Sequence, residues 1–235
     1  MKILGIDGSG LVASVAIVEN DNLVGEYTTG YKKTHSQTLL PMLDELKKMV
    51  ELDLNTVDAI AVAAGPGSFT GLRIASATAK GLGLSFGCPI VSVPTVDALA
   101  FNLWGQSGLI CPIMDARRGQ VYTGLYSFDT DGTFNVIHEQ CAVDFREIAD
   151  KINELGQPVT FLGDGVPVFA DAIAEFVTVP FRFAPAHLNK QHASSVAALG
   201  AIYYENGDCE NAADHRPEYL RLSQAERERL EKENA

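Results

Sequence analysis

Two aspartates in this sequence stand where an apolar stretch ends and a turn of small or polar residues begins. Asp7 is followed by Gly-Ser (8–9), and Asp115 by Ala-Arg-Arg-Gly (116–119). Turn N–H groups and a serine hydroxyl such as that of Ser9 can donate to phosphate oxygens, and a carboxylate can hold Mg²⁺ directly or through water. The pattern indicates a phosphate and magnesium site. An equally open alternative is that both aspartates only end strands in turns, as aspartate often does.

A nine-residue string, Gly-Pro-Gly-Ser-Phe-Thr-Gly-Leu-Arg at 65–73, is a further candidate for chemistry. It follows an apolar run at 58–64 and opens a segment rich in small residues at 69–85, which predicts a strand, a glycine turn and a helix. Ser68 can cap that helix, and a helix N-terminus can receive an anion. The string matches neither the P-loop nor the dinucleotide fingerprint. A tight turn that lets another backbone come close is therefore the alternative.

The histidines give no sign of a metal site. None of the five is paired at the His-x-x-x-His or His-Glu-x-x-His spacing that puts two imidazoles on one helix face. His35 is a candidate for catalysis or for a helix start, while Arg117 and Arg118 suit an anion site or an exposed turn. No Gly-x-Ser-x-Gly elbow is present. The histidines are His35, His138, His187, His192 and His215.

Composition describes an acidic globular protein. Of the 235 residues, 46% are hydrophobic and 20% charged, and the formal net charge is -12. Such a chain is a poor binder of nucleic acid on its own, because phosphate contacts dominate that affinity. The N-terminus lacks a leader and no apolar run reaches membrane length, which predicts a cytoplasmic protein. The cysteines form no Cys-x-x-Cys pair and are expected to be buried or inert: Cys88, Cys111, Cys141 and Cys209.

The order of predicted elements occurs twice along the chain. Three strands, a helix, a strand and a helix recur from residue 109 onward, with Asp7 matching Asp115 and the glycines of 65–67 matching those of 163–165. We infer an α/β fold of two β-β-β-α-β-α lobes, the architecture of actin-like (ASKHA, ribonuclease H-like) nucleotide folds. The candidate nucleotide-binding residues are Asp7, Ser9, Asp115, Gly163 and Gly165.

The predicted boundaries follow from the repeat. The first lobe spans 1–106 and the second 107–213, with its last helix, about 194–205, left open to pack back on the first lobe. Because proline fits best in a first turn, Pro41 predicts that its helix begins near Thr38. A strand is expected near Val179. The tail, 214–235, is predicted to contain a charged helix at 226–234. We interpret it as a surface tail or a partner contact, and disorder at its extreme end is an equally open alternative.

Five motifs together resemble the bacterial TsaB (YeaZ) family, in the family's order and over nearly the whole chain. One departure is Gly8, where the family usually has threonine, so a hydroxyl is missing from the first turn. The motifs are Ile-Asp-Gly-Ser at 6–9, His-Ser-Gln with Leu-Leu-Pro at 35–41, the string at 65–73, Asp-Ala-Arg-Arg-Gly-Gln-Val-Tyr at 115–122 and Pro-Glu-Tyr-Leu-Arg at 217–221.

The resemblance implies a role in forming N6-threonylcarbamoyladenosine at position 37 of tRNAs that read codons starting with A. It implies a non-catalytic partner of a TsaD-type subunit, which carries the His-x-x-x-His that is missing here. A TsaE-type ATPase joins the complex, and the chain forms a homodimer without TsaD. By the same resemblance tRNA is met only through the complex, no membrane is involved, and the chain itself requires no cofactor, with ATP or ADP and Mg²⁺ an option in the complex.

Pairing in the family uses helices of the first lobe, which here are the helix after His35 and the one that opens at Ser68. The apolar and small residues of these helices suit such a surface and would suit an ordinary core as well. The expected interface residues are Leu39, Leu43, Leu46, Phe69, Leu72, Arg73, Ala75 and Ala79.

Two enzyme hypotheses stand beside the partner role. The first is an actin-like phosphotransferase or ATPase that uses Asp7 and Asp115 with Mg²⁺. The second is a peptidase, which the lack of a zinc pair or nucleophile triad makes the weaker of the two.

Overall fold

A computed structural model of the protein describes residues 1–31 and 34–221. Within that part, each lobe supplies five strands and three helices. The first lobe contains β1 (Lys2–Asp7), β2 (Ala13–Glu19), β3 (Asn22–Thr29), α1 (His35–Met49), a 3₁₀ turn (Leu54–Thr56), β4 (Ala59–Gly65), α2 (Phe69–Phe86), β5 (Ile90–Pro94) and α3 (Thr95–Phe101). The second contains β6 (Leu109–Asp115), β7 (Gln120–Phe128), β8 (Phe134–Asp144), α4 (Phe145–Leu155), β9 (Val159–Leu162), α5 (Val166–Phe176), β10 (Phe181–Phe183) and α6 (Ala193–Glu205).

The two sheets have the same topology. Their strand orders are β3-β2-β1-β4-β5 and β8-β7-β6-β9-β10. In each sheet the first three strands are antiparallel, and the fourth and fifth run parallel to the first. The predicted duplication and the actin-like α/β fold class are confirmed.

The first sheet is covered on both faces. Because side chains alternate along a strand, Leu4 and Ile6 of β1 pack with α1 and α2, whereas Ile3 packs in a separate cluster with α6. Every residue of β4 is buried. Burial of apolar side chains from both faces of one sheet is the main stabilisation of this layered arrangement.

Helix α6 follows the second lobe in sequence but packs on the strands of the first sheet. The approach is close because small residues meet: a Cβ on Gly5 would collide with the carbonyl of Ala193, and one on Gly200 would collide with Ala61. Helix α3, in turn, packs against β6 and β7 of the second lobe. Each lobe thus contributes one helix, α3 or α6, to the contact region between the lobes, which we call the seam.

The structure corrects two sequence predictions. Helix α1 begins at His35, not near Thr38, and contains Pro41; Pro41 lies on the exposed side of α1, where the carbonyl freed by its missing N–H can meet water. The strand expected near Val179 is Phe181–Phe183. Of the four cysteines expected to be buried or inert, Cys88 and Cys111 are buried, Cys141 is partly buried and Cys209 is exposed.

The predicted helix at 226–234 lies outside the described residues. Among the described helices, none combines the length and apolarity that a membrane span needs.

Candidate functional site: the cleft between the lobes and the outer helices

A cleft of about 460 Å³ lies between the turns that follow β1, β4, β6 and β9. Of the five predicted nucleotide-binding residues, Ser9 and Asp115 line it, whereas Asp7, Gly163 and Gly165 do not. The lining residues are Ser9, Gly10, Leu11, Gly67, Ser68, Met114, Asp115, Ala116, Arg117, Tyr122, Asp164 and Val168.

The Asp7 carboxylate accepts hydrogen bonds from within its own turn. It is only 1% exposed, and its Oδ1 accepts from the Ser9 N–H at 2.8 Å and from the Ser9 hydroxyl at 2.6 Å. Burial raises the pKa of Asp7, and the hydrogen bonds from Ser9 only partly offset that effect. The two donors that a phosphate would need from Ser9 are thus directed to the Asp7 carboxylate.

Asp115 repeats this arrangement in the second lobe. Its Oδ1 accepts from the Arg117 N–H at 2.7 Å, and its Oδ2 pairs with the Arg117 guanidinium at 3.0 Å. Arg117 and Arg118 both have positive φ, which the tight turn before β7 requires. Both aspartates therefore close the same two-residue turn, the role that the alternative hypothesis gave them.

The glycine string at 65–73 packs closely against the backbone of the turn after β1. A Cβ on Gly67 would collide with the carbonyl of Ser9, and one on Gly71 would collide with that of Gly8. The Ser68 N–H donates to the Ser9 carbonyl at 2.6 Å. Ser68 also caps α2 as predicted, because its hydroxyl accepts from the Gly71 N–H. The close approach that these glycines permit is thus made by the turn after β1.

These contacts test whether the cleft fits a nucleotide of the kind that actin-like folds hold. The Ser9 donors are used by Asp7, the Ser68 N–H is used by Ser9, and the space beside Gly8 is filled by His35 and Ala75. His35 itself bonds the Gly10 carbonyl through Nε2 at 2.9 Å. The residues present do not fit a phosphate chain at the first turn.

Asp164 is a cleft residue that sequence analysis missed. Its Oδ1 is buried with no hydrogen-bond partner in the described part of the chain. Burial raises the pKa of Asp164. The hydrogen bond from the Asp115 N–H lowers this pKa, whereas the negative charge of Asp115 raises it further. The sequence feature that could have indicated Asp164 is a carboxylate between Gly163 and Gly165, at the position that Pro66 holds in the first lobe.

The predicted partner surface is largely an inner surface. Most of its residues are buried in the core of the first lobe and do not reach the surface of this chain. The apolar stripe they form is the core-facing side of α1 and α2. The buried residues are Leu39, Leu43, Leu46, Leu72, Ala75 and Ala79.

Phe69 and Arg73 remain at the surface. The Arg73 guanidinium lies 4.4 Å from the centre of the Phe69 ring, and the Tyr219 ring packs against the same ring in a tilted arrangement, at 4.7 Å between centroids. The rest of the outer face of α2 consists of small and apolar residues. Its exposed positions include Thr70, Arg73, Ala77, Gly81 and Leu84.

A hydroxyl, an imidazole and a carboxylate also meet elsewhere in the first lobe. His215 is buried, and its Nδ1 lies 3.0 Å from the Ser92 hydroxyl and 2.8 Å from Glu210 Oε1. A hydrolytic triad needs the hydroxyl and the carboxylate on opposite ring nitrogens. Here both contact Nδ1, so the cluster is not a triad. Within the described chain, no three His, Cys, Asp or Glu side chains are grouped as metal ligands.

Comparisons with known proteins show the family to which the chain belongs. Residues 22–229 match the family model described as "TsaD: tRNA N6-adenosine threonylcarbamoyltransferase". The "tRNA threonylcarbamoyladenosine biosynthesis protein TsaB" of Bacillus subtilis (strain 168) is 35% identical over 98% of this chain and 99% of its own length. The Escherichia coli (strain K12) protein of the same name is 30% identical over 73% of this chain and 74% of its own.

A solved structure shows the same fold. The structure described as "YeaZ from Pseudomonas aeruginosa" superimposes with a TM-score of 0.78 at 25% identity, covering 93% of this chain and 99% of that one. The chain therefore belongs to the TsaB (YeaZ) family, which shares the actin-like fold of the TsaD-related proteins.

Proposed function

We propose that this chain is a non-catalytic partner subunit in the formation of N6-threonylcarbamoyladenosine in tRNA. The names of its relatives support the pathway. The observation that carries the non-catalytic role is the use of the cleft's own groups: the Ser9 donors bind Asp7, and Asp115 binds Arg117. Donors and carboxylates that already bond within their own turns are poorly placed to hold a reacting substrate.

The partners proposed are a TsaD-type catalytic subunit, a TsaE-type ATPase and, without TsaD, a second copy of this chain. A net charge of -12 supports contact with tRNA through the complex rather than by this chain alone. We propose that the chain acts in the cytoplasm and needs no cofactor of its own, so that any ATP or ADP with Mg²⁺ belongs to the complex.

The proposed interface is the outer face of α2 with the neighbouring face of α1. Thr70, Ala77, Gly81 and Leu84 follow helical spacing along the exposed side of α2. In the described part of the chain, no atom beyond the neighbouring residues and backbone of α2 itself lies within 4 Å of the position a Gly81 Cβ would take, so a partner helix can approach the backbone closely. Leu84 is 61% exposed, and on α1 Leu40 is 53% exposed; both supply apolar contact area.

An interface variant tests this face. Ala77→Arg adds a long charged side chain to the exposed face of α2 and should abolish pairing with the TsaD-type subunit in size-exclusion chromatography. Ala174→Arg makes the same change on the exposed side of α5 and should leave pairing unchanged. Equal pairing by both variants would place the interface elsewhere.

The function is tested by reconstitution. Purified TsaD-type and TsaE-type proteins are given tRNA and a threonylcarbamoyl-adenylate supply, with and without this chain. The proposal predicts that modification depends on the chain and that the chain alone transfers nothing. Full modification in its absence, or transfer by the chain alone, would overturn it.

The two enzyme hypotheses have less support. A phosphotransferase would need phosphate donors that the first turn uses internally. A peptidase would need a zinc pair or a nucleophile triad. Ser92, His215 and Glu210 do not have the triad geometry, and the described residues contain no group of three or more metal-ligating side chains.

A further inference from the structure

The chain after α6 returns to the first lobe. Glu210 pairs with Ile90 of β5 in an antiparallel bridge, and the Lys80 ammonium donates to the carbonyls of Ala213 and His215, each at 2.8 Å. His215 is buried against Ser92 and Glu210. The segment is thus anchored on β5 and α2 before it reaches residues 217–221, which we call the strap.

The strap passes directly over the start of the glycine string. The Glu218 N–H donates to the Ala64 carbonyl at 2.7 Å. A Cβ on Gly65 would collide with the Glu218 carbonyl, and Gly65 has a φ of 133°, which side chains rarely allow. Gly65 therefore leaves the space through which the strap runs.

A tilted contact between two aromatic rings holds the middle of the strap on the first lobe. The Tyr219 ring lies on Phe69, the first residue of α2, at an interplanar angle of 30°. Arg73, one turn along α2, contacts the same ring. Aromatic and cation–π contacts of this kind add to the burial of the rings.

The end of the strap reaches the second lobe. The Arg221 guanidinium donates to the Ala116 carbonyl at 2.7 Å, a charge-assisted hydrogen bond. Ala116 lies between Asp115 and Arg117, and all three line the cleft. On the opposite wall, Gly67 and Ser68 are separated by a single residue from the backbone of 64–65 that Glu218 contacts.

We infer that the strap is a tie between the lobes that limits how far the cleft can open. Glu218 and Tyr219 hold it on the wall formed by the glycine string, and Arg221 holds the opposite wall. The tie is separate from the packing of α3 and α6 at the seam. It does not depend on the proposed function, because the contacts lie within one chain.

The distance between the lobes in the purified full chain tests this inference. Spin labels on cysteines that replace Asn22 at the start of β3 and Ala174 on α5 lie on exposed positions, one in each lobe and outside the proposed interface on α1 and α2. The accessible Cys141 and Cys209 are changed to serine. Double electron–electron resonance then gives the distribution of distances between the lobes.

A single narrow distribution is expected for the labelled chain, and Arg221→Ala should broaden it and shift it to a different mean. Arg221→Lys, which keeps a cationic donor, should restore much of the narrow distribution. A chain that ends at Arg221 keeps the strap and should match the full chain, whereas one that ends at Arg216 should behave as Arg221→Ala does.

Two results would overturn the tie. One is an unchanged distribution in Arg221→Ala, and the other is a distribution in the unaltered chain that is already as broad as in that variant. Far-UV circular dichroism identifies a truncated chain that fails to fold; in that case the Arg221 pair of variants decides.

Discussion

The Tyr126 hydroxyl, from β7 of the second lobe, donates to the Asp97 carboxylate on α3 at 2.7 Å. The Tyr203 hydroxyl of α6 lies 3.4 Å from the other carboxylate oxygen. Asp97 is buried, and burial raises its pKa while the two tyrosines oppose that effect. A single carboxylate thus joins the second lobe to both helices of the seam.

The buried charge of Asp97 predicts an unusual mutational result. A raised carboxyl pKa means that ionisation costs the folded state more than the unfolded state, so this contribution to stability is lost as pH rises above 3.8 through the folded pKa. Asp97→Asn keeps an acceptor for Tyr126 without the charge. At pH 7 it should be at least as stable as the unmodified chain, with the difference shrinking toward pH 4.

The complementary change at this contact is Tyr126→Phe, which leaves the buried carboxylate without its nearest donor. It should lower the free energy of unfolding by about 1–3 kcal/mol. Urea unfolding of both variants checks the pair. A larger loss in Asp97→Asn than in Tyr126→Phe would contradict this account of the seam.

Two glycines on α2 should respond to alanine in opposite ways. Alanine favours helix over glycine by about 1 kcal/mol, and Gly81 has open space around its Cβ position, so Gly81→Ala should raise the melting temperature. At Gly71 the Cβ would collide with the Gly8 carbonyl. Gly71→Ala should lower stability by about 1–3 kcal/mol, as overpacking does. Similar changes in stability in the two variants would show that the turn after β1 does not pack tightly against α2.

The duplicated fold was predictable because its signals are local. Apolar runs that end in Asp7 and Asp115, and glycine turns at 65–67 and 163–165, occur in the same order in both halves. Strand and helix periodicity then determines the element types, and the structure departs from them mainly at element ends such as that of α1.

The partners of these residues were not predictable, because they lie far away in sequence. A stripe of apolar and small residues on α2 has the same pattern whether Ala75 faces a core or a partner. That Gly65 makes room for Glu218 depends on a contact between residues more than 150 positions apart. Asp164 likewise acquires its buried, unpaired oxygen only when the lobes fold.

An ion pair at the start of α6 predicts a pH dependence. Burial alone would raise the pKa of Glu26, but hydrogen bonds from His192 and from the N–H and hydroxyl of Ser194 lower it to about 2. The hydrogen bond to Glu26 raises the pKa of His192 against the effect of burial. The pair thus fixes α6 to β3 of the first lobe.

The sign of each shift sets the pH range of this stabilisation. The Glu26 contribution is lost as pH falls from about 4.5 toward 2, and the His192 contribution is lost as pH rises from 6.5 through its raised pKa. Glu26→Gln should cost about 1–3 kcal/mol, most between pH 4.5 and 6.5. Asp44→Asn, at an exposed pair with Lys48, should change little. Equal losses at every pH would contradict the ion-pair origin.

Nucleotide binding by the isolated chain separates the partner role from the phosphotransferase hypothesis. Because Ser9 donates to Asp7 and Arg117 pairs with Asp115, calorimetric titration with ATP and Mg²⁺ should show no saturable binding. The informative variants are Asp164→Asn, which removes the charge of a cleft carboxylate whose Oδ1 has no hydrogen-bond partner in the described part of the chain, and Asp150→Asn, a matched control on the exposed side of α4. Saturable Mg²⁺-dependent binding that survives Asp150→Asn but is lost in Asp164→Asn would restore the phosphotransferase hypothesis, with the second lobe rather than the Asp7 turn holding the metal.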